Sequence, residues 1–166
     1  MTIDKMTGLG NRRMLEDSIS RLAKNRSETP RFLIFADVDN MKHFNMHNGH
    51  KKGDILLVST AKMLASLFTH SSVFRFGGDQ FVAITTESDL DSVVKTTNWA
   101  YSKFRTDLVP DQPENCGQSD CIGPAAVDIT FSITELKGDL DTKTILLHAL
   151  DKMDSQKLEK RNGLGG

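Results

Sequence analysis

Asp79 sits in the link between two apolar runs, in the stretch VFRFGGDQFVAI from Val73 to Ile84. A hairpin tip built on the Gly77–Gly78 pair lets backbone approach a ligand closely and hangs one carboxylate beside it, with the amide of Gln80 directly after. Asp37 and Asp39 follow the apolar run Phe32 to Ala36 as DVD, and strand alternation places both on one face. Two carboxylates at the exit of a buried strand, with a third on a nearby hairpin tip, form the oxygen set that magnesium favours when it also holds substrate phosphates. Asp37 and Asp79 are the natural pair. The same acids also occur at strand ends and turns simply to solvate a loop.

Lys157 and Arg161 lie four apart near the end of the last helical stretch, which puts them on one face, where they can hold phosphate oxygens, Arg161 bidentately. Basic residues in a last helical turn equally complement the helix dipole. Asn45 and Asp54, at the two ends of a polar segment, offer the mixed donors and acceptors that read a purine edge such as guanine. His50, in the same segment, has no second histidine at ligand spacing and reads as a residue that orders the turn.

These groups need a scaffold. Leu9, Met14, Leu15, Ile19 and Leu22 recur at helical spacing and Asn11 can cap the start, so the pattern predicts a helix over 11–24. Phe32 to Ala36 reads as a central strand. Lys42 to Asp54 reads as a polar connection with turn points at Gly49 and Gly53, followed by a helix from Asp54 to Phe68 with Asp54 in its first turn. After the hairpin, a helix is predicted from Asp89 to Asp107, with Val93, Val94, Ala100 and Phe104 inward. The segment 108–126 holds three of the four prolines and reads as the one long loop. Its Cys116 and Cys121 read as free thiols. A strand over 126–136 and a helix over 142–158, facing inward through Leu146, Leu147, Leu150 and Met153, complete an α+β layer in which helices flank a mostly antiparallel sheet.

The 166 residues suit one domain, and 38% apolar with 26% charged residues is the profile of a chain that buries a core. A formal net charge of -1 argues against nucleic-acid binding by bulk counterion release. No apolar run approaches a membrane span and no signal peptide opens the sequence, so a cytoplasmic setting without membrane contact is expected.

Four motifs, in order and at consistent intervals, resemble the GGDEF domain family of diguanylate cyclases. DKMTGLGNRR at Asp4 to Arg13 is similar to D-x-L-T-G-L-x-N-R-R, and DVDNMKHFNMHNGHKKGD at Asp37 to Asp54 to D-x-D-x-F-K-x-x-N-D-x-x-G-H-x-x-G-D. RFGGDQF at Arg75 to Phe81 is similar to R-x-G-G-D-E-F, and the last helix keeps Lys157, Arg161 and Asn162. The resemblance covers almost the whole length, 1–166 as a single GGDEF-like domain, excised from or C-terminal in a longer signalling protein whose sensor domains lie elsewhere. It implies a polymerase-palm-like or ferredoxin-like α+β fold of about five strands. It further implies one GTP per monomer, Mg2+ or Mn2+, and a homodimer in which two monomers meet to form cyclic di-GMP. Asp37, the Val38 backbone carbonyl and Asp79 match the metal ligands. Lys42, Asn45, Asp54, Gly77, Gly78, Lys157 and Arg161 match the nucleotide-binding positions.

The departures shape the functional expectation. Gln80 stands at the catalytic position where the family has glutamate; an amide takes no proton at neutral pH and is a weaker magnesium ligand, and loss of a general base costs about 10²- to 10⁴-fold. Met46 replaces the acid after Asn45. Leu150 and Asp154 replace the aspartate and tyrosine of A-D-x-A-L-Y-x-A-K, and Thr134 stands where glycine follows S-I. Phe68 and Ser71 occupy the key positions of the product-inhibition motif R-x-x-D, so no inhibitory site of that kind is expected. The expectation is a degenerate domain that binds GTP with Mg2+ and serves as a sensory or regulatory module. An active cyclase, and a nucleotide-free protein-interaction domain, are the alternatives.

Overall fold

A computed structural model describes residues 2–24, 31–68, 71–85, 89–109, 127–136 and 141–163. In chain order the elements are β1 (Gly10–Asn11), α1 (Arg12–Lys24), β2 (Phe32–Asp39), α2 (Met41–Asn48), α3 (His50–Leu67), β3 (Ser71–Gly77) and β4 (Gln80–Thr85). Then follow α4 (Leu90–Lys103), a π-helical turn at Phe104–Leu108, β5 (Asp128–Glu135) and α5 (Thr142–Gly163). The five strands form one sheet in the order β1-β3-β4-β2-β5. The β3–β4, β4–β2 and β2–β5 pairs are antiparallel, while the short β1 runs parallel to β3. This is the α+β architecture with a mostly antiparallel sheet that the sequence pattern implies.

Strand β2 is interior, between β4 and β5, and is buried on both faces from Phe32 to Val38, which is why its sequence from Phe32 to Ala36 is a continuous apolar run rather than an alternation. Ile34, Ala36 and Val38 face a layer made by Leu57, Ala61 and Leu64 of α3 with Val93 and Ala100 of α4. Leu33 and Phe35 face the opposite layer, made by Leu15 and Ile19 of α1 with Ile145, Leu146, Ala149 and Met153 of α5. Phe35 is fully buried and meets Phe76 edge-on at 5.2 Å between ring centroids. Truncating such a ring to alanine costs about 3–5 kcal/mol. The same alternation carries Asp37 and Asp39 to the α1/α5 side, beyond the end of the apolar layer.

Three expectations change. The polar stretch 42–54 is helical: α2 begins at Met41, and Gly49, at φ 83°, breaks the chain before α3 starts at His50. Met41 is buried and Phe44 packs on the core, and these two apolar anchors three apart are too few to show as a helical stripe in the sequence. Asp54 therefore lies in the second turn of α3 rather than the first. Val94 and Leu147, expected inward, are 37% and 50% exposed. Each follows an inward neighbour, Val93 or Leu146, and a helix turns about 100° per residue, which carries Val94 and Leu147 off the face that meets the sheet. The π-helical turn carries buried Phe104 inward at the end of α4. Most of the 108–126 loop, with Cys116 and Cys121, lies outside the described residues.

Candidate functional site

Strand register assembles the site. Asp37 pairs with Gln80 on β4 and with Thr130 on β5, and Asp39 pairs with Asp128. Directly opposed residues of antiparallel strands put their side chains on the same face, so four polar side chains and Thr130 gather at one end of the sheet beneath α5. Gln80 Nε2 donates to Asp37 Oδ2 at 2.8 Å. Lys157 Nζ lies 2.6 Å from Asp37 Oδ1 and 3.3 Å from Asp39 Oδ1. Lys160 Nζ lies 3.0 Å from Asp39 Oδ2 and 2.7 Å from Asp128 Oδ2. The hydroxyl of Thr130 donates to Asp39.

Burial sharpens these charges. Asp37 is 3% exposed. Burial and then the neighbouring charge of Asp37 push the Asp79 carboxyl above its ordinary range. Burial alone would lower the Lys157 ammonium, but its hydrogen bond to Asp37 and the charges of Asp37 and Asp39 outweigh that and hold it above the ordinary lysine value. Four carboxylates, Asp37, Asp39, Asp79 and Asp128, face two ammoniums, Lys157 and Lys160. Two negative charges remain, the amount one divalent cation cancels. Among the described residues no group of three or more acidic, histidine or cysteine side chains forms a protein cage for a metal. Asp37, Asp79 and the Val38 carbonyl fit the other kind of site, in which Mg2+ takes one or two carboxylates and completes its shell with water and substrate phosphates.

The hairpin tip is fixed from both sides. The Val38 N–H donates to the Asp79 carbonyl at 3.0 Å, docking the tip on the end of β2. Gly78 has φ +36°, a conformation side chains rarely adopt, and open space surrounds Gly77 and Gly78. Arg75 donates to the Gly78 carbonyl at 2.6 and 3.1 Å and to the Asp4 carboxylate at 3.2 and 3.3 Å. The first motif of the chain is thereby tied to the third.

Beside the tip, between α2 and the hairpin, runs a groove of about 540 Å³ lined by Lys42, Asn45, His50, Gly78 and Asp79. Asn45 is wedged against α3: a Cβ on Gly53 would lie 1.8 Å from its Oδ1, so only glycine lets the two helices pack this way. That buried oxygen has no hydrogen-bond partner among the described residues. His50 begins α3 and is exposed on the groove wall. Asp54 is exposed on α3 and is not part of the lining.

A sequence profile described as "Diguanylate cyclase, GGDEF domain" matches residues 1–163. The chain belongs to the GGDEF family. It is 34% identical over 128 residues to diguanylate cyclase DosC of Shigella sonnei, covering 74% of this chain and 28% of that protein. Diguanylate cyclase DgcP of Escherichia coli K12 is 26% identical over 151 residues, 89% of this chain and 42% of that protein. The chain thus spans less than half the length of each of these relatives. In fold it superposes on the GGDEF domain of DgcB from Caulobacter crescentus, solved in complex with c-di-GMP, with TM-score 0.79, 22% identity, and coverage of 97% of this chain and 90% of that one. The FimX GGDEF domain from Pseudomonas aeruginosa superposes with TM-score 0.75, 17% identity, and coverage of 96% and 95%.

In this GGDEF chain the expected residues Asp37, Val38, Gln80 and Lys157 come together, with Asp79 anchored beside them. Arg161 is exposed and makes no ion pair among the described residues. The second cation at the carboxylates is Lys160, three residues after Lys157 rather than four. Lys160, Asp128 and Thr130 were not singled out from the sequence. The signals that mark them are the K-x-x-K spacing on α5 and the D-x-T on β5 that mirrors D-x-D on β2.

Proposed function

We propose that this chain is a degenerate GGDEF domain that binds GTP together with a divalent cation, Mg2+ or Mn2+, and acts as a regulatory module in cyclic di-GMP signalling with little or no cyclase turnover. One observation carries the reading: Gln80 donates its amide hydrogen to Asp37 Oδ2, so the position opposite the cation carboxylate is a donor, not a base. Asp37, Asp79 and the Val38 carbonyl would hold the cation, which supplies charge neutralisation to the triphosphate. Lys157, and Lys42 on the groove wall, are the phosphate-side cations, with Arg161 four residues after Lys157 on α5 as a third. Asn45, wedged at Gly53, is the base-side residue, with Asp54 on the next helix; the open Gly77–Gly78 turn lets the nucleotide approach backbone. The retained acids and lysines support binding, and the amide argues against deprotonation of a 3'-hydroxyl.

Isothermal titration calorimetry tests the binding half. Heat from GTP is expected with Mg2+ present, and is expected to vanish with EDTA or in Asp37→Asn. An unmodified chain that gives no heat with Mg2+ and GTP overturns the proposal. A second reading, an active diguanylate cyclase assembled as a homodimer, is favoured by the 34% identity to a protein named as one. Product formation by the unmodified chain separates the two.

A further inference from the structure

Asp39 and Asp128 stand directly opposite each other on β2 and β5. Two like charges in that relation destabilise a sheet unless a cation lies between them. Lys160 fills that place. Its Nζ is within 3.2 Å of four oxygens: Asp39 Oδ2, Asp128 Oδ2, Thr130 Oγ1 and the Ile129 carbonyl. It also lies 5.8 Å from the centre of the Tyr101 ring. An ammonium has three donors, so these partners use it fully and leave none for a ligand. The other oxygen of Asp39 is the one that Lys157 reaches, at 3.3 Å, while Lys157 sits at 2.6 Å from Asp37. Side chains therefore alternate in charge along one line: Asp128, Lys160, Asp39, Lys157, Asp37.

We infer that Lys160 is a positioning residue that acts through Asp39 on Lys157. By taking up the charge of Asp39, Lys160 leaves Lys157 held mainly by Asp37. A cation that binds Asp37 then frees Lys157 for the phosphates. Without Lys160, Asp39 turns its full charge on Lys157 and retains it. This rests on the reading of the site as a Mg2+–GTP site, yet the coupling between the lysines exists without nucleotide.

Two measurements on the same variants test it: the rate of reductive methylation of Lys157 in the nucleotide-free chain, read by mass spectrometry, and calorimetric affinity for Mg2+–GTP. In Lys160→Met, Lys157 is expected to label more slowly and GTP to bind about tenfold more weakly. Adding Asp39→Asn to Lys160→Met is expected to restore both, and Lys160→Arg to keep both near the unmodified values. Asp128→Asn, which leaves Asp39 as the one carboxylate held by Lys160 and strands no charge, shifts labelling the other way, to faster. It keeps the test decisive where Lys160→Met fails to fold. A merely structural lysine predicts that the double variant is worse than the single one and that Asp128→Asn leaves labelling unchanged; either result overturns the inference. If the unmodified chain binds no GTP, the function proposal fails while the labelling series still decides the role of Lys160.

Discussion

Gln80 and Asp37 face each other across the β4–β2 ladder, and the Gln80 amide donates to Asp37 Oδ2 at 2.8 Å. Lys157 takes the other oxygen at 2.6 Å, so both oxygens of this nearly inaccessible carboxylate are satisfied by donors. A glutamate at 80 cannot make the same bond while ionised. It would set a second carboxylate against the first.

Gln80→Glu is therefore expected to destabilise the metal-free chain by about 1–3 kcal/mol, through loss of a hydrogen bond to a buried charged group and gain of a like charge. Thermal melts in EDTA and in Mg2+ check this. The deficit should shrink with Mg2+, because the added carboxylate then has a cation to meet. A deficit of the same size in both buffers would contradict the account.

Gly53→Ala is expected to push Asn45 off α3, since the new Cβ would lie 1.8 Å from Asn45 Oδ1. GTP affinity should fall by about 1–3 kcal/mol, the cost of leaving a base hydrogen bond unmade. The preference for GTP over ATP in a competition titration should fall with it, while Lys157, on another element, keeps its phosphate contribution.

Arg75 joins the N-terminal turn to the hairpin tip through the Asp4 carboxylate and the Gly78 carbonyl. Burial raises the Asp4 carboxyl, but hydrogen bonds from Thr7 and Arg75 outweigh that and hold it below its ordinary value. A depressed carboxyl contributes stability that is present above the ordinary value of 3.8 and is lost as pH falls through its lower folded value. Arg75→Met should cost about 1.5–3 kcal/mol at neutral pH and reduce the acid sensitivity of the remainder, measured by urea unfolding across that range.

At the alkaline end the sign reverses. Burial lowers the Lys160 ammonium, yet its hydrogen bond to Asp128 and the charges of Asp39 and Asp128 lift it above the ordinary 10.5. Its stabilisation is complete below that value and is lost as pH rises through the higher folded one. Urea midpoints should drop above pH 10.5 in the unmodified chain, and the drop should be smaller in Lys160→Met.

The central strand, the hairpin and the carboxylates Asp37 and Asp79 were legible in the sequence because each rests on a local pattern: an apolar run, a glycine pair, an alternation. Helix α2 was not, since Met41 and Phe44 are its only anchors on the core and its remaining residues are polar except the exposed Met46. Lys160 was hidden for a different reason. Its role follows from the register that sets Asp39 opposite Asp128, a pairing between residues 89 positions apart that no local spacing encodes. Arg161 looked the better cation at four residues from Lys157, but the end of α5 turns Lys160 toward the sheet instead.

The most direct test of the central claim is the rate of cyclic di-GMP formation from GTP and Mg2+ by the unmodified chain and by Gln80→Glu, each fused to a dimerising coiled coil so that two sites can meet. The expected result is product from Gln80→Glu at a rate about 10²-fold or more above that of the unmodified chain, the value of a restored general base. Equal rates from the two chains would contradict the assignment of Gln80 as the residue that holds this site to binding.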